Sequence, residues 1–399
     1  MKVGIIGLPN AGKSTLFNAL TRAGAQAANY PFTTIEPNVA IVPVVDERLE
    51  RVAALLGASG VVHDTIEVHD IAGLVAGAHR GEGLGNKFLG HIRETDALLH
   101  VVRAHGDEGV VHPEGRVDPV RDIETVETEL LYSDLEQAER RLERVVRKAR
   151  SGERAAMAEQ AWLQRLIEAL GAGRPARTVP PPAQAPDALR ELGPLTAKPV
   201  LYVANVGEEA EGSGGTSGTQ ETGAGAGAPA RETGAVPPAG AVPSAPGGVP
   251  VGVPPAIAAH ADAVGARAIA LSARLEAELG ELDAAEETEM RAELGAGEPG
   301  VTRVVSGAFE LLDLIAFFTA GEAKPAQSWH VSRGSSAWSA AGRIHSDIQR
   351  GFVRAEVVGW TELIDAGGYS GARDRGTLRI EGRDYVMADG DVMTVRFTP

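Results

Sequence analysis

This 399-residue sequence predicts an α/β fold: a mostly parallel sheet that carries an inserted helical hairpin and is followed by a small mixed β domain. Three observations point there. Short apolar runs alternate with helical patterns through the first third of the chain. A long amphipathic stripe fills residues 122–170. Short β-type runs, separated by Gly-rich turns, occupy the stretch after residue 314. Apolar runs this short read as strands buried on both faces. Strands separated by helical stretches imply crossover units and a parallel sheet.

In chain order, Val3–Ile6 is the first such run, Val39–Val44 is an added edge strand, and Ile66–Val68 and Ala97–Val102 follow. Then the period changes. Ile123, Val126, Leu130, Leu131, Ala138, Leu142, Val145 and Ala149 recur at three- and four-residue steps, with Glu136/Arg140 and Glu143/Arg147 spaced as i,i+4 pairs. Ser151-Gly152 breaks the stripe. A second one follows, with Trp162, Leu163, Leu166, Ile167 and Leu170. The pair reads as an antiparallel helical hairpin inserted between two strands; two ordinary surface helices are the alternative. Val200–Ala204 and Ala268–Leu271 resume the sheet. Between them, Gly, Ala, Pro, Ser and Thr dominate residues 209–258, with no aromatic residue. Such a segment buries too little apolar area to offset its ordering entropy, so a disordered insert is expected. Trp329–Val331, Gly351–Val358, Thr377–Ile380, Tyr385–Met387 and Val392–Phe397 read as a separate mixed sheet. The resulting division is 1–121 (nucleotide-binding domain, first part), 122–196 (helical arm), 197–208 and 259–283 (second part), 209–258 (insert) and 314–397 (C-terminal domain).

Composition narrows the functions. The absence of Cys excludes disulfides and thiol catalysis. A net charge of −16 argues against a wholesale electrostatic grip on nucleic acid, although residues 324–399 hold ten Lys/Arg against nine Asp/Glu. The opening MKVGIIGLPNAGKS resembles the start of a signal peptide, but Pro9, Asn10 and Lys13 cut the apolar run short. No run of about 18 apolar residues occurs, so no membrane partner and a cytoplasmic location are expected.

Gly7-Leu8-Pro9-Asn10-Ala11-Gly12-Lys13-Ser14 fits G-x-x-x-x-G-K-[ST] and lies between a strand and a helical stretch, Thr15–Thr21. In that context the glycines let backbone N–H groups close around phosphate oxygens. Lys13 reaches the β/γ-phosphates and Ser14 offers its hydroxyl to Mg²⁺. Asp70-Ile71-Ala72-Gly73 ends a strand about sixty residues on. Asp70 is expected to hold the Mg²⁺ shell through water, and the Gly73 N–H to meet a γ-phosphate. Asn29-Tyr30-Pro31-Phe32-Thr33-Thr34 lies between them, with Thr34 the residue expected to close over the metal.

The base-reading turn is less ordinary. VLYVANVGEEA ends a strand at Asn205, where guanine readers carry Asn-Lys-x-Asp; here Val206 and Glu208 replace Lys and Asp. Asn205 still matches the N7 edge that both purines share. Loss of the guanine-specific carboxylate geometry favours or admits ATP; the alternative is that Glu208 is a solvated loop charge. Ser272-Ala273 is placed to offer a backbone N–H to the base. The residue after Gly73 is Leu74, where a water-orienting Gln often sits, so hydrolysis needs another group. Candidates are a K⁺ ion held near Asn10, a partner, or His112.

NYPFTTIEPN, DIAGLVAGAHRGEGLGNKFLGHIRETDALLHVVR, VDPVRDIETVETEL, KPVLYVANVGE, FTAGE and WSAAGRIHSDIQRGFVRAEV together resemble the YchF family of Obg-like P-loop ATPases, over nearly the whole chain except the insert. The resemblance implies a Ras-like P-loop NTPase domain, a helical coiled-coil arm and a C-terminal TGS domain of β-grasp fold. It implies ATP preferred over GTP, Mg²⁺ on Ser14 and Thr34, and phosphate contacts from Asn10, Ala11, Gly12, Lys13, Ser14 and Thr15. Base contacts would come from Asn205, the Val206 backbone and Glu208, and a hydrolytic loop His maps onto His112. It also implies a monomer that associates with the ribosome, on its large subunit, with rRNA or tRNA contact through arm and TGS domain and a role in translation and stress responses. The insert after Glu208 departs from the family pattern and bears on the base preference. The reading is a slow ATPase switch. Its rivals are an Obg-class GTPase, a ribosome- or RNA-binding module with structural nucleotide, and, more weakly, a metabolic kinase.

Overall fold

The computed structural model describes residues 1–27, 38–71, 84–106, 110, 112–113, 115–207 and 252–398, with backbone alone at 24–27 and 84–88. Thr34, Gly73, Leu74, Glu208 and residues 209–251 of the expected insert lie outside them.

The chain opens with β1 (Lys2–Ile6), α1 (Lys13–Ala27), β2 (Val39–Pro43), α2 (Glu47–Leu56), β3 (Gly60–Val62), β4 (Thr65–Asp70), α3 (Leu84–Arg93) and β5 (Ala97–Arg103). The arm is α4 (Pro119–Ala149) and α5 (Arg154–Gly171), followed by α6 (Ala188–Leu192). Then come β6 (Val200–Asn205), α7 (Pro255–Ala263), β7 (Arg267–Leu271), α8 (Ala273–Leu279), α9 (Ala284–Leu294) and α10 (Gly300–Leu311). The C-terminal part holds β8 (Leu314–Thr319), β9 (Pro325–Ser332), α11 (Ala337–Ile344), α12 (Ser346–Arg350), β10 (Phe352–Gly359), α13 (Trp360–Asp365), α14 (Tyr369–Asp374), β11 (Arg379–Glu381) and β12 (Asp391–Phe397).

The first sheet has the order β2-β4-β1-β5-β6-β7. Every pair is parallel except β2 with β4, so the added edge strand expected at 39–44 is antiparallel. All seven residues of β5 are buried, as a strand covered on both faces requires. On one side Leu16 and Leu20 of α1 pack with Val301, Val304, Val305 and Ala308 of α10; on the other, Ile92 of α3 packs with Val126 and Leu130 of α4. The parallel register places Asp70 opposite Ile5, and Asn205 opposite both Arg103 and Leu271. The carboxyl ends of the central strands therefore form one rim, where ligands of open α/β sheets bind.

The arm is a helical hairpin, as expected. Asp118 caps α4 and Pro119 stands in its first turn, where proline costs no hydrogen bond. Asp134 anchors the root by accepting from the Leu195 and Thr196 backbone amides at 2.7 and 2.8 Å. Farther out, Ala138, Val145 and Ala149 pack on Ala156, Trp162, Leu163, Leu166 and Leu170. Gly152, at φ +84°, makes the reversal at Ser151-Gly152.

Three boundaries differ from those read in the sequence. α7 begins at Pro255, inside the stretch assigned to the insert, because Ile257 and Ala261, one turn apart, pack on Tyr202, Ala204 and Ala270. The first domain does not end at 283, since α10 shares a core cluster with Leu201 and Val203. The C-terminal sheet is not separate. Its order is β11-β10-β12-β8-β9-β3, and β3 pairs in parallel with β9 from Gly60↔Pro325 to Val62↔Gln327. Leu49 and Val52 of α2 join Phe318, Val358 and Val392 beneath that sheet. A three-residue strand has too little pattern to reveal a partner so distant in sequence.

Asp64 closes the seam between the two sheets. Its amide donates to Ser328 Oγ at 2.8 Å, and its Oδ2 lies 3.1 Å from the His330 amide, 2.8 Å from His330 Nδ1 and 3.6 Å from Arg343. Burial alone would raise the Asp64 pKa; hydrogen bonding and attraction from His330 outweigh it and hold the carboxyl below its usual value. A depressed carboxyl pKa contributes stability above the unfolded value, about 3.9, and that contribution is lost as pH falls through the folded value. Asp64→Ala is therefore expected to lower urea stability by about 1–3 kcal/mol at pH 7 and by clearly less at pH 3. An equal loss at both pH values would show that the carboxylate charge contributes nothing to the seam.

Candidate functional site

The phosphate loop starts where β1 stops. Gly7 has φ +145°, and a Cβ there would come within 2.3 Å of the Val101 carbonyl oxygen. Asn10 holds φ +62°, a left-handed conformation that Asn tolerates. Gly12 has φ +98°, and a Cβ there would meet Asn205 Nδ2 at 2.2 Å. The glycine spacing of the motif thus answers two close approaches, one to the neighbouring strand and one to the base-reading turn. Lys13 opens α1 and is 6% exposed; its Nζ donates to the Leu8 carbonyl at 2.7 Å. Burial pulls its pKa down to about 8, against the attraction of Asp70. Ser14 Oγ donates to Asp70 Oδ2 at 3.1 Å.

Asn205 joins the loop to the base-reading turn. Its Nδ2 donates to the Ala11 carbonyl at 3.1 Å and its Oδ1 accepts from the Ala273 amide at 3.0 Å. The side chain is 6% exposed, and partners of opposite polarity fix which way its amide points. Val206 N donates to Leu271 O at 3.0 Å, which carries the sheet pattern one residue beyond β6. Ser272 caps α8, its Oγ accepting from Leu275 N at 3.2 Å. Between loop and turn lies a cleft of about 910 Å³, lined by Asn10, Gly12, Thr15, Asn205, Val206, Ser272 and Ala273. Ala11, Lys13, Ser14 and Asp70 are not among its lining residues; Ala11 and Lys13 are buried, and Ser14 and Asp70 are joined by their hydrogen bond.

Two expectations change. The Ala273 amide is taken by Asn205, so it is not the N–H that meets a base. His112 is not among the cleft-lining residues: its Nε2 lies 2.9 Å from Asp122 Oδ2 in the first turn of α4, and both side chains are 6% exposed. The ring is thus paired with an acid at the root of the arm. The cleft also holds residues not singled out in the sequence, Arg103 and His105 among them. Arg103, 2% exposed, donates to the carbonyls of His105 at 3.2 Å and Val110 at 3.1 Å, fastening the loop after β5 at the cleft; His105 also lines it. The available signal was a single Arg closing a strand that is apolar but for His100, ALLHVVR.

A family model described as a 50S ribosome-binding GTPase matches residues 2–145, and a YchF-type GTPase C-terminal model, described as a protein of unknown function, matches 314–398. The ribosome-binding ATPase YchF of Bacillus subtilis is 41% identical over 397 residues, covering 100% of this chain and 99% of the relative. The chain belongs to the YchF family. The YchF protein of Escherichia coli O157:H7 is also 41% identical, with 99% of each chain covered. The Schizosaccharomyces pombe YchF GTPase structure superposes with a TM-score of 0.80 at 32% identity, covering 99% of this chain and 97% of that one. In this YchF chain the Asn205 link is the most exposed to test. Asn205→Ala leaves the Ala11 carbonyl and the Ala273 amide without their partner, which is expected to cost about 2–4 kcal/mol in urea unfolding. The same variant should weaken triphosphate binding about tenfold or more by loosening the phosphate loop. Wild-type values for both would mean that loop and turn are independent.

Proposed function

We propose that this chain binds ATP in preference to GTP, hydrolyses it slowly in a Mg²⁺-dependent manner, and uses the change of state as a switch in association with the ribosome. The observation that carries the reading is the junction of phosphate loop, Asp70 and Asn205 on one rim, with Val206 where guanine readers place Lys and Glu208 where they place Asp. A triphosphate fits the cleft with its phosphates on the amides opening α1 and its base toward Asn205, Val206 and Glu208. Lys13 is already turned inward and brings a cation to the β/γ-phosphates. Ser14 and Asp70 are hard oxygen donors in hydrogen-bonding contact, the kind of pair that suits Mg²⁺; Thr34 is proposed to complete the set. Bound there, Mg²⁺ would neutralise charge on the phosphate oxygens. K⁺ near Asn10 is proposed as a further aid.

Slow turnover follows from what the site lacks. Leu74 cannot orient water, and His112 is held by Asp122. For His112 to act in hydrolysis it must first leave that carboxylate, which makes activation by a partner the natural step. The relatives named ribosome-binding supply that partner; its large subunit, rRNA or tRNA contact, a role in translation or stress, the monomeric state and a cytoplasmic location belong to the same proposal. Among the described residues no helix is long and apolar enough to cross a membrane.

Two names among the matches favour a second reading, hydrolysis of GTP: the family model and the fission-yeast structure are both called GTPases. Competition between labelled ATP and GTP separates the two, and the proposal expects ATP to bind about tenfold tighter or more. A preference for GTP would overturn the role given to Glu208. Steady-state turnover of purified protein is expected far below the roughly 1–100 s⁻¹ of kinases. Lys13→Ala should cut phosphate release about 100-fold or more; unchanged release would place the activity elsewhere.

A further inference from the structure

Charge is segregated along the helical arm. From Asp122 to Glu139 the sequence holds seven Asp/Glu and no Lys/Arg; from Arg140 to Arg154 it holds seven Lys/Arg and two Asp/Glu. The apex is therefore +5 on a chain whose other residues sum to −21. The inner cations are matched: Arg140 pairs with Glu136 at 3.3 Å, and Arg141 with Glu159 at 2.7 Å and Glu191 at 2.9 Å. The outer ones are not. Arg147, Lys148, Arg150 and Arg154 are exposed and make no ion pair among the described residues, and the i,i+4 pairing of Glu143 with Arg147 suggested by the sequence is not formed.

Helix stability does not account for this cluster. Arg147 and Lys148, in the last turn of α4, do favour its dipole. Arg154, however, stands in the first turn of α5, where a cation is unfavourable, and the acid beside it, Glu153 at the N-cap, makes no capping hydrogen bond. Two helix ends of opposite polarity present cations at one point, an arrangement that the hairpin's own stability explains only for the α4 end. The arm also separates this point from the acidic body. Asp134, the last anchor to the Leu195–Thr196 segment, is fifteen residues from Ala149, or about 22 Å along the helix. That is well over two Debye lengths at physiological salt, about 8 Å each, so an approaching polyanion meets the apex charge and not the body.

We infer that the apex of the arm, at Arg147, Lys148, Arg150 and Arg154, is a docking point for the phosphate backbone of RNA. The inference rests on the ribosome-association reading for its choice of RNA. The apex chemistry is consistent with that choice. No aromatic side chain lies between residues 140 and 157 to stack on bases or wedge into a bilayer, and Met157 is the one large exposed apolar side chain. Contact is therefore with phosphates and independent of sequence.

The test uses the full chain, a fluorescent 20-base-pair RNA duplex, purified ribosomes and phosphatidylserine vesicles. The variant combines Arg147→Gln, Lys148→Gln and Arg150→Gln; unchanged helical circular dichroism and unchanged ATP hydrolysis confirm that it is folded. Loss of three phosphate contacts is expected to weaken duplex binding about tenfold or more and to reduce the slope of log affinity against log salt by about 2–3. Equal duplex affinity and slope in variant and wild type would overturn the inference, as would apex-dependent binding to the vesicles without binding to the duplex. Ribosome pelleting is read separately. Wild-type protein that fails to pellet refutes the ribosome reading, whereas variant that pellets as well as wild type refutes the apex as its contact.

Discussion

The path of residues 39–70 constrains everything else in this molecule. The chain enters on β2 at the edge of the first sheet, places α2 and β3 in the second, and returns on β4. Only His63 and Asp64 separate β3 from β4. β4 is six residues of extended chain, about 20 Å, paired on both sides. One of its ends is the Asp64 cluster with Ser328, His330 and Arg343; the other is Asp70 beside Ser14. A strand paired on both edges shifts as a unit or not at all. A change of hydrogen bonding at Asp70 must therefore be absorbed along β4, at the pairing of β3 with β9, or at the Asp64 contacts. The phosphate site and the C-terminal sheet are mechanically adjacent although their residues are far apart in sequence.

The opposite side of the rim is tied by different means. Asn205 carries no charge, yet it fixes the phosphate loop to the start of α8 through one donated and one accepted hydrogen bond. Gly12 is what allows its approach. Lys13 is likewise held in place by the loop's own carbonyl. The loop is thus shaped before a ligand arrives, and binding need not supply the ordering entropy. Desolvation of Lys13 costs folding energy that a phosphate would recover, the kind of compromise expected where a site is optimised for its ligand more than for its own stability.

Much of this was legible in the sequence because the signals were local. A glycine-spaced loop between a strand and a helix, five buried apolar runs and two amphipathic stripes each specify their own conformation, and the structure contains all of them. What was not legible depended on distant partners. β3 is three residues long and takes its identity from β9. Ile257 and Ala261 give α7 a buried face only because Tyr202 and Ala270 are already in place. His112 reads as a free loop histidine until the fold brings Asp122 against it. Arg103 looks like the polar end of a strand until its guanidinium is found fastening the carbonyls of the following loop.

The commitment of polar groups around Asn205 also narrows how a base can be discriminated. The Ala273 N–H, one of the Ser272-Ala273 amides expected to meet a base, is consumed by Asn205, and the Ser272 hydroxyl by the cap of α8. Asn205 itself retains one N–H and one lone pair, and toward a purine the N–H matches N7, which adenine and guanine share. The Val206 amide is taken by Leu271 O, so a contact from the Val206 backbone to a base edge would come from its carbonyl. A carbonyl accepts and cannot donate. Under the proposed ATP reading it would suit the exocyclic amine of adenine and repel the exocyclic oxygen of guanine. In the ATP reading proposed above, this carbonyl would act beside Glu208 in telling adenine from guanine.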